Sequence, residues 1–128
     1  MLLSFAEYHE MGGTTPTDKY EKLEQDAEDL INPITNDYYV LHSIDDDEDK
    51  YRVQCFKKAL ELQINFSFEI GASTPYEMSN QDVKSVSVDG TTVTKGTTPT
   101  NFVTNGVYNL ARDYLYRGGF LFRGIPHA

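Results

Sequence analysis

The sequence predicts a mainly α domain: four helices, with one short β-hairpin inserted before the last of them. Three observations carry this expectation. Apolar residues recur at steps of three and four in separate stretches, the signature of amphipathic helices. Glycine pairs and prolines punctuate those stretches. One Asp-Gly dipeptide sits between alternating valines and hydroxylated residues, the strongest short-range hairpin signal. At 128 residues the chain has room for one core.

The first helix is expected over Phe5 to Met11, with Ser4 as N-cap, Glu7 at the capping-box spacing and Gly12-Gly13 as the stop. After Thr14-Thr15-Pro16, Thr17 or Asp18 caps a second helix whose stripe is Tyr20, Leu23, Ala27, Leu30 and Ile31. Pro33 is expected to end it, because the residue before a proline is pushed out of the helical region. Glu21, Glu24, Glu28 and Asp29 lie mainly off the stripe and are expected to face solvent or a partner. Asn36 to Ile44 fits a helical turn or a connecting strand equally well.

From about Asp46 the pattern predicts the longest helix, with Tyr51, Cys55, Phe56, Ala59, Leu60, Gln63 and Ile64 on one side and Phe66, Phe68 and Ile70 broadening it before Gly71. So wide an apolar face suits a central helix or one that packs on a neighbouring subunit. Residues 71 to 82 turn to Ser, Thr, Pro and Asn, a loop composition. In Ser85 to Thr94 a two-residue Asp89-Gly90 loop pairs Val88 with Thr91 and Val86 with Val93, placing the valines on one face. A lone hairpin is marginal in water, so that face must lean on helices or on another chain. Thr100 is expected to cap the last helix, with Val103, Val107, Leu110, Ala111, Tyr114 and Leu115 as its stripe and Gly118-Gly119 as its stop.

The formal net charge is −9, and residues 1 to 64 hold all of the imbalance, with 15 acidic against 6 basic side chains. Duplex DNA is held by Lys and Arg that neutralise phosphates, so tight nucleic-acid binding is not expected. No apolar run approaches the roughly 18 residues of a membrane span, and Glu7 and Glu10 interrupt any signal-peptide core. Cys55 is the only cysteine, so no intramolecular disulfide forms and a reducing compartment is the natural assembly site.

Candidate chemistry fails on spacing. Asp45-Asp46-Asp47-Glu48-Asp49 begins like a calcium loop, but Lys50 stands where the sharp-turn glycine belongs and Phe56 where the bidentate glutamate belongs. The run reads instead as the solvated, dipole-favoured N-terminus of a helix. His9, His42 and His127 lack zinc-ligand spacing and read as surface residues. Cys55 reads as a buried small hydrophobe. The glycine pairs follow helices, where a phosphate cradle must precede one. No carboxylate pair singles itself out for acid–base work, so neither an enzyme nor a cofactor is expected.

The last residues, Phe120-Leu121-Phe122-Arg123-Gly124-Ile125-Pro126, are apolar, and fold-back on the domain and docking on another surface suit them equally. The run Tyr108-Asn109-Leu110-Ala111-Arg112-Asp113-Tyr114-Leu115, followed by Gly118-Gly119-Phe120-Leu121-Phe122-Arg123-Gly124-Ile125, resembles the ending of head-tail connector (adaptor) proteins of tailed bacteriophages, in siphophages of Gram-positive hosts. Ser4-Phe5-Ala6-Glu7-Tyr8, Gly12-Gly13 and Ala27-Glu28-Asp29-Leu30-Ile31 are similar to that family's opening. The acidic run Asp45 to Asp49 matches no part of it.

The resemblance implies a mainly α structural protein of the virion neck, assembled in the host cytoplasm into a ring of about twelve copies beneath the portal. It implies that residues 1 to 119 form the body and 120 to 128 a docking tail. Phe120, Leu121, Phe122, Arg123, Gly124, Ile125 and Pro126 would dock on the portal protein or a neighbouring subunit. Val83 to Lys95, with Val86, Val88 and Val93, would reach a neighbour. A head-completion (stopper) or tail protein would complete the joint, and DNA would pass an acidic wall without specific binding. Two other classes fit the composition: a head-completion or tail-terminator protein, and a small acidic regulatory protein that binds a basic partner.

Overall fold

The computed structural model describes residues 1–79 and 102–120. Among them run α1 (Phe5–Glu10), α2 (Thr17–Ile34), α3 (Tyr38–Leu41), α4 (Lys50–Ile70), the helical residues 75–79 of α5, strands β1 (Val103–Thr104) and β2 (Val107–Tyr108), and α6 (Asn109–Arg117). The fold is mainly helical with a two-stranded antiparallel hairpin directly before the last helix, the class the sequence predicts. α3 decides Asn36 to Ile44 for the helical turn rather than the strand, and α5 is an addition to the expected four helices, within the stretch expected to be a loop. The hairpin expected over Ser85 to Thr94 lies outside the described residues.

The fold centres on α4, against which both α2 and α6 pack. Its buried residues Cys55, Phe56, Ala59, Leu60, Gln63, Ile64 and Phe66 wrap more than one side, as a central helix requires. Tyr51 departs from the expected stripe and is 58% exposed. The helix starts at Lys50, not Asp46: the Asp49 side chain accepts from Arg52 N at 3.1 Å, and residues 45 to 48 form the turn before it. Gly71, at φ +74°, closes the far end in the left-handed conformation that glycine adopts freely.

At the opposite end Ser4 caps α1 by accepting from Glu7 N at 3.2 Å. The chain then folds over its own Tyr8 ring. A side chain at Gly13 would overlap that ring, so only glycine fits. The fully buried Tyr8 hydroxyl accepts from Thr14 N at 3.1 Å and Thr15 N at 2.9 Å and donates to Asn65 of α4, which ties the turn to the central helix.

Two expectations about helix ends are corrected. α2 passes through Pro33 to Ile34. The amide hydrogen that proline lacks is tolerable in a last, solvent-facing turn. The stop is made by Asn36 and Asp37, both at φ +57°, with Asp37 N donating back to Asn32 O at 2.8 Å. Asn and Asp are the non-glycine residues that best tolerate this left-handed geometry.

The last helix starts at Asn109 rather than Thr100, because Asn105 (φ +54°) and Gly106 (φ +86°) form a two-residue hairpin turn that pairs Val103 with Tyr108 and Thr104 with Val107. Buried Gln63 stitches this hairpin to α4, donating to Gly106 O at 3.2 Å and accepting from Tyr108 N at 2.7 Å. Asn105→Ala should therefore lower stability by about 1 kcal/mol, because alanine lacks the short polar side chain whose local hydrogen bonding lets asparagine adopt the left-handed region. Urea denaturation measures it, and an unchanged midpoint would mean that the turn adopts another geometry.

Candidate functional site

The end of α6 delivers the chain to an aromatic box. Gly118 lies so close to α4 that an added Cβ would come within 3.1 Å of Cys55 Cβ. Gly119, at φ +88°, then turns the backbone. Phe120 is left half-buried among Tyr38, Tyr39 and Phe56, with ring centroids at 5.7, 5.7 and 5.5 Å and tilted edge-to-face geometry. The root of the expected docking tail is thus seated on the body of its own chain.

The acidic run before α4 supports that box. Asp47 accepts a bidentate pair from Arg52, at 2.9 and 3.0 Å, and a third hydrogen bond from the Tyr39 hydroxyl at 2.5 Å. Arg52 in turn lies 4.9 Å from the Tyr38 ring centroid. The Arg52 guanidinium holds the Asp47 carboxyl well below the usual carboxylate range. Burial, reinforced by Asp47, pushes the Tyr39 hydroxyl up. The expected solvated acidic terminus is correct for Asp45, Asp46 and Glu48, which are exposed, but not for Asp47, whose side chain is only 6% exposed. Composition did not mark it out among five consecutive acids; the partner lies five residues on, at Arg52.

Of the residues assigned to the tail, Phe120 is placed here, whereas Leu121, Phe122, Arg123, Gly124, Ile125 and Pro126 lie outside the described residues. Val86, Val88 and Val93 lie outside them too.

A second cluster has the residue types of a nucleophile site. In a groove of about 540 Å³ between α2 and the end of α4, the Ser73 hydroxyl donates to Asp26 Oδ2 at 2.5 Å and accepts from Lys22 Nζ at 3.1 Å. Lys22 also pairs with Asp26 at 2.6 Å, and that hydrogen bond holds its ammonium above the ordinary lysine value. A lysine fixed in its charged form cannot take a proton from serine, so the arrangement does not activate Ser73. It works as a latch. Glu77 accepts from Ser73 N at 2.9 Å while Thr74 accepts from Glu77 N at 3.2 Å, and together these fasten the loop before α5 to α2.

A third cluster overturns an expectation. Glu24 is 1% exposed, not solvent-facing. Its Oε2 accepts from Leu2 N at 3.2 Å and Leu3 N at 3.3 Å, while Glu28 Oε2 accepts from Leu2 N at 2.8 Å. The N-terminal segment is strapped onto α2, and buried Leu3 fills the gap over the helix. Burial first, and then the neighbouring Glu28, push the Glu24 carboxyl up to about 8.

His9 and His42 are exposed and Cys55 is buried, as expected. Among the described residues no three His, Cys, Asp or Glu side chains are placed to hold a metal ion, and no helix is long and apolar enough to cross a membrane. No family model, curated protein or solved structure matches the chain.

Proposed function

We propose that the chain is a structural head-tail connector (adaptor) of a tailed bacteriophage, a non-catalytic ring subunit that docks on the portal protein by residues 121 to 126. The observation that carries this reading is the clamping of Phe120. Tyr38, Tyr39 and Phe56 hold its ring, so the apolar residues after it start from a fixed point on the body. Preorganising the root of a docking segment lowers the entropy lost on binding. The resemblance of the ending, the mainly helical architecture with a hairpin before the last helix, and the acidic charge all support the same assignment. A wall of net negative charge lets DNA slide past without being held.

The test mixes the purified chain with portal-bearing siphophage capsids of Gram-positive hosts that lack their own neck proteins. Cryo-electron microscopy should show a ring of the full-length chain at the portal vertex, and a chain ending at Phe120 should fail to add one. A truncated chain that joins equally well removes the docking role. A full-length chain that ignores the portal overturns the assignment.

A further inference from the structure

We propose that the groove between α4 and the end of α6 receives an acidic peptide segment of another protein, its carboxylate on Arg117 and an adjacent apolar side chain against Tyr51 and Tyr114. The chemistry of this site stands apart from the connector reading above, since none of it uses residues 121 to 126. The groove has a volume of about 450 Å³, within the range of about 300–1,000 Å³ in which ligand pockets fall.

Met11, Tyr51, Gln54, Lys58, Tyr114 and Arg117 line it, and none of its described lining residues is acidic. That sets it apart in a chain with 20 acidic against 11 basic side chains. The groove beside α2 holds Asp18 and Glu77, and the one that Arg112 lines holds Asp113 as well. Lys58 shares its charge with Glu61 at 2.9 Å, whereas Arg117 makes no ion pair with any described residue. Arg117 instead stacks on Tyr114, its guanidinium 4.7 Å from the ring centroid. Stacking occupies the face of the guanidinium and leaves the N–H donors in its plane open to a ligand. Tyr51, expected in the buried stripe of α4, stands exposed here instead.

Arginine and tyrosine are the side chains enriched where protein surfaces meet. A carboxylate matches Arg117 because it accepts two parallel bonds from one guanidinium. One free cation and one shared cation balance the single charge of a carboxylate, but not the nearly double charge of a phosphate monoester. The tyrosine rings and Met11 offer apolar contact to the residue beside that carboxylate. Repulsion by the net charge of −9 is screened beyond about 10 Å at 0.1 M salt, so the charges lining the groove decide what it accepts.

Heteronuclear NMR titration of the isotope-labelled full-length chain tests this with three probes: the end-blocked peptide Glu-Phe-Asp-Phe-Glu, its uncharged counterpart Gln-Phe-Asn-Phe-Gln, and adenosine monophosphate. The acidic peptide should shift the resonances of Tyr51, Gln54, Tyr114 and Arg117, with a dissociation constant below about 1 mM. The uncharged peptide should bind at least about tenfold more weakly, and Arg117→Gln should weaken the acidic peptide by a similar factor. Arg112→Gln, in the other groove, should leave binding unchanged. If Arg117→Gln loses helical circular dichroism, Tyr51→Ala, at an exposed position on α4, should weaken binding in the same direction. Unmoved resonances, equal binding of the uncharged peptide, or wild-type affinity in the folded variants would each overturn the proposal. Tighter binding of adenosine monophosphate would make the groove a phosphate site and overturn it too. So would self-association of the chain alone, measured by sedimentation velocity and lost in Arg117→Gln, because a second copy would then fill the groove.

Discussion

Glu24→Gln should make the protein more stable above neutral pH and flatten its stability profile between about pH 5 and 9. Burial, with Glu28 beside it, pushes the wild-type carboxyl up to about 8 in the folded chain, from the ordinary glutamate value of 4.5. The folded state therefore holds a proton that the unfolded state releases. The stability contributed by that proton is fully present below about pH 4.5 and is lost as pH rises to 8, where a buried carboxylate must form beside Glu28. At about 1.4 kcal/mol per pKa unit, the loss is on the order of a few kcal/mol.

The groups that face Glu24 set the sign. Glu28 raises the carboxyl, while the Leu3 amide and the terminal amine lower it without offsetting burial. Glutamine reproduces the protonated form: its amide oxygen accepts from Leu2 and Leu3 as Oε2 does, and its NH2 donates to Glu28. Urea denaturation at pH 5, 7 and 9 should show the wild type declining with pH and the variant nearly level. Parallel curves would mean that Glu24 is ionised and satisfied in the native protein.

Glu24 also shows where reading the sequence stopped. It is buried on α2 together with Tyr20, Ala27 and Ile31, at helical spacing from each, so the stripe itself includes it and its charge alone set it apart. The partners that satisfy it, the Leu2 and Leu3 amides, lie more than twenty residues away in sequence, and no local pattern reports them. Asp47 is the same kind of case. One acid of five consecutive ones is drawn in by Arg52 and Tyr39, and the choice depends on where α3 lies.

The hairpin before α6 was missed for a different reason. Val103, Val107, Leu110, Ala111, Tyr114 and Leu115 satisfy helical spacing, and that pattern outweighed the Asn105-Gly106 dipeptide within it, the turn signal that decides the local structure. The elements legible in advance were those whose ends are fixed by side-chain chemistry in the neighbouring residues. Ser4 starts α1 and Gly71 ends α4. Of the candidate site, the sequence indicated the apolar ending but not that its first ring is held by α3 and α4.

Arg52→Ala tests that support, and it should cost about 2–4 kcal/mol. Removing one partner of a buried pair typically costs 3–5 kcal/mol, and the lower range applies because the Arg52 side chain is 30% exposed. The variant leaves Asp47 with the Tyr39 hydroxyl and Asp49 N as donors and strips two charge-assisted bonds from it. Adding Asp47→Asn to Arg52→Ala should recover part of the loss, since the amide carries no charge to strand.

The acid limb gives an independent check. Asp47 is held below the ordinary aspartate value of 3.8, by Arg52 first. Its contribution is therefore present above about pH 4 and disappears as pH falls further, so the wild type should lose stability there faster than Arg52→Ala. The structural consequence reaches the end of α6. Without the guanidinium over Tyr38, the box around Phe120 loosens, and trypsin should cut at Arg117 faster in the variant than in the wild type under conditions where both remain folded. Arg52 lies outside the segment proposed to dock. A folded Arg52→Ala protein that binds the portal less well would therefore separate the positioning of that segment from its contacts. Undiminished binding would show that the segment finds its partner without a fixed root.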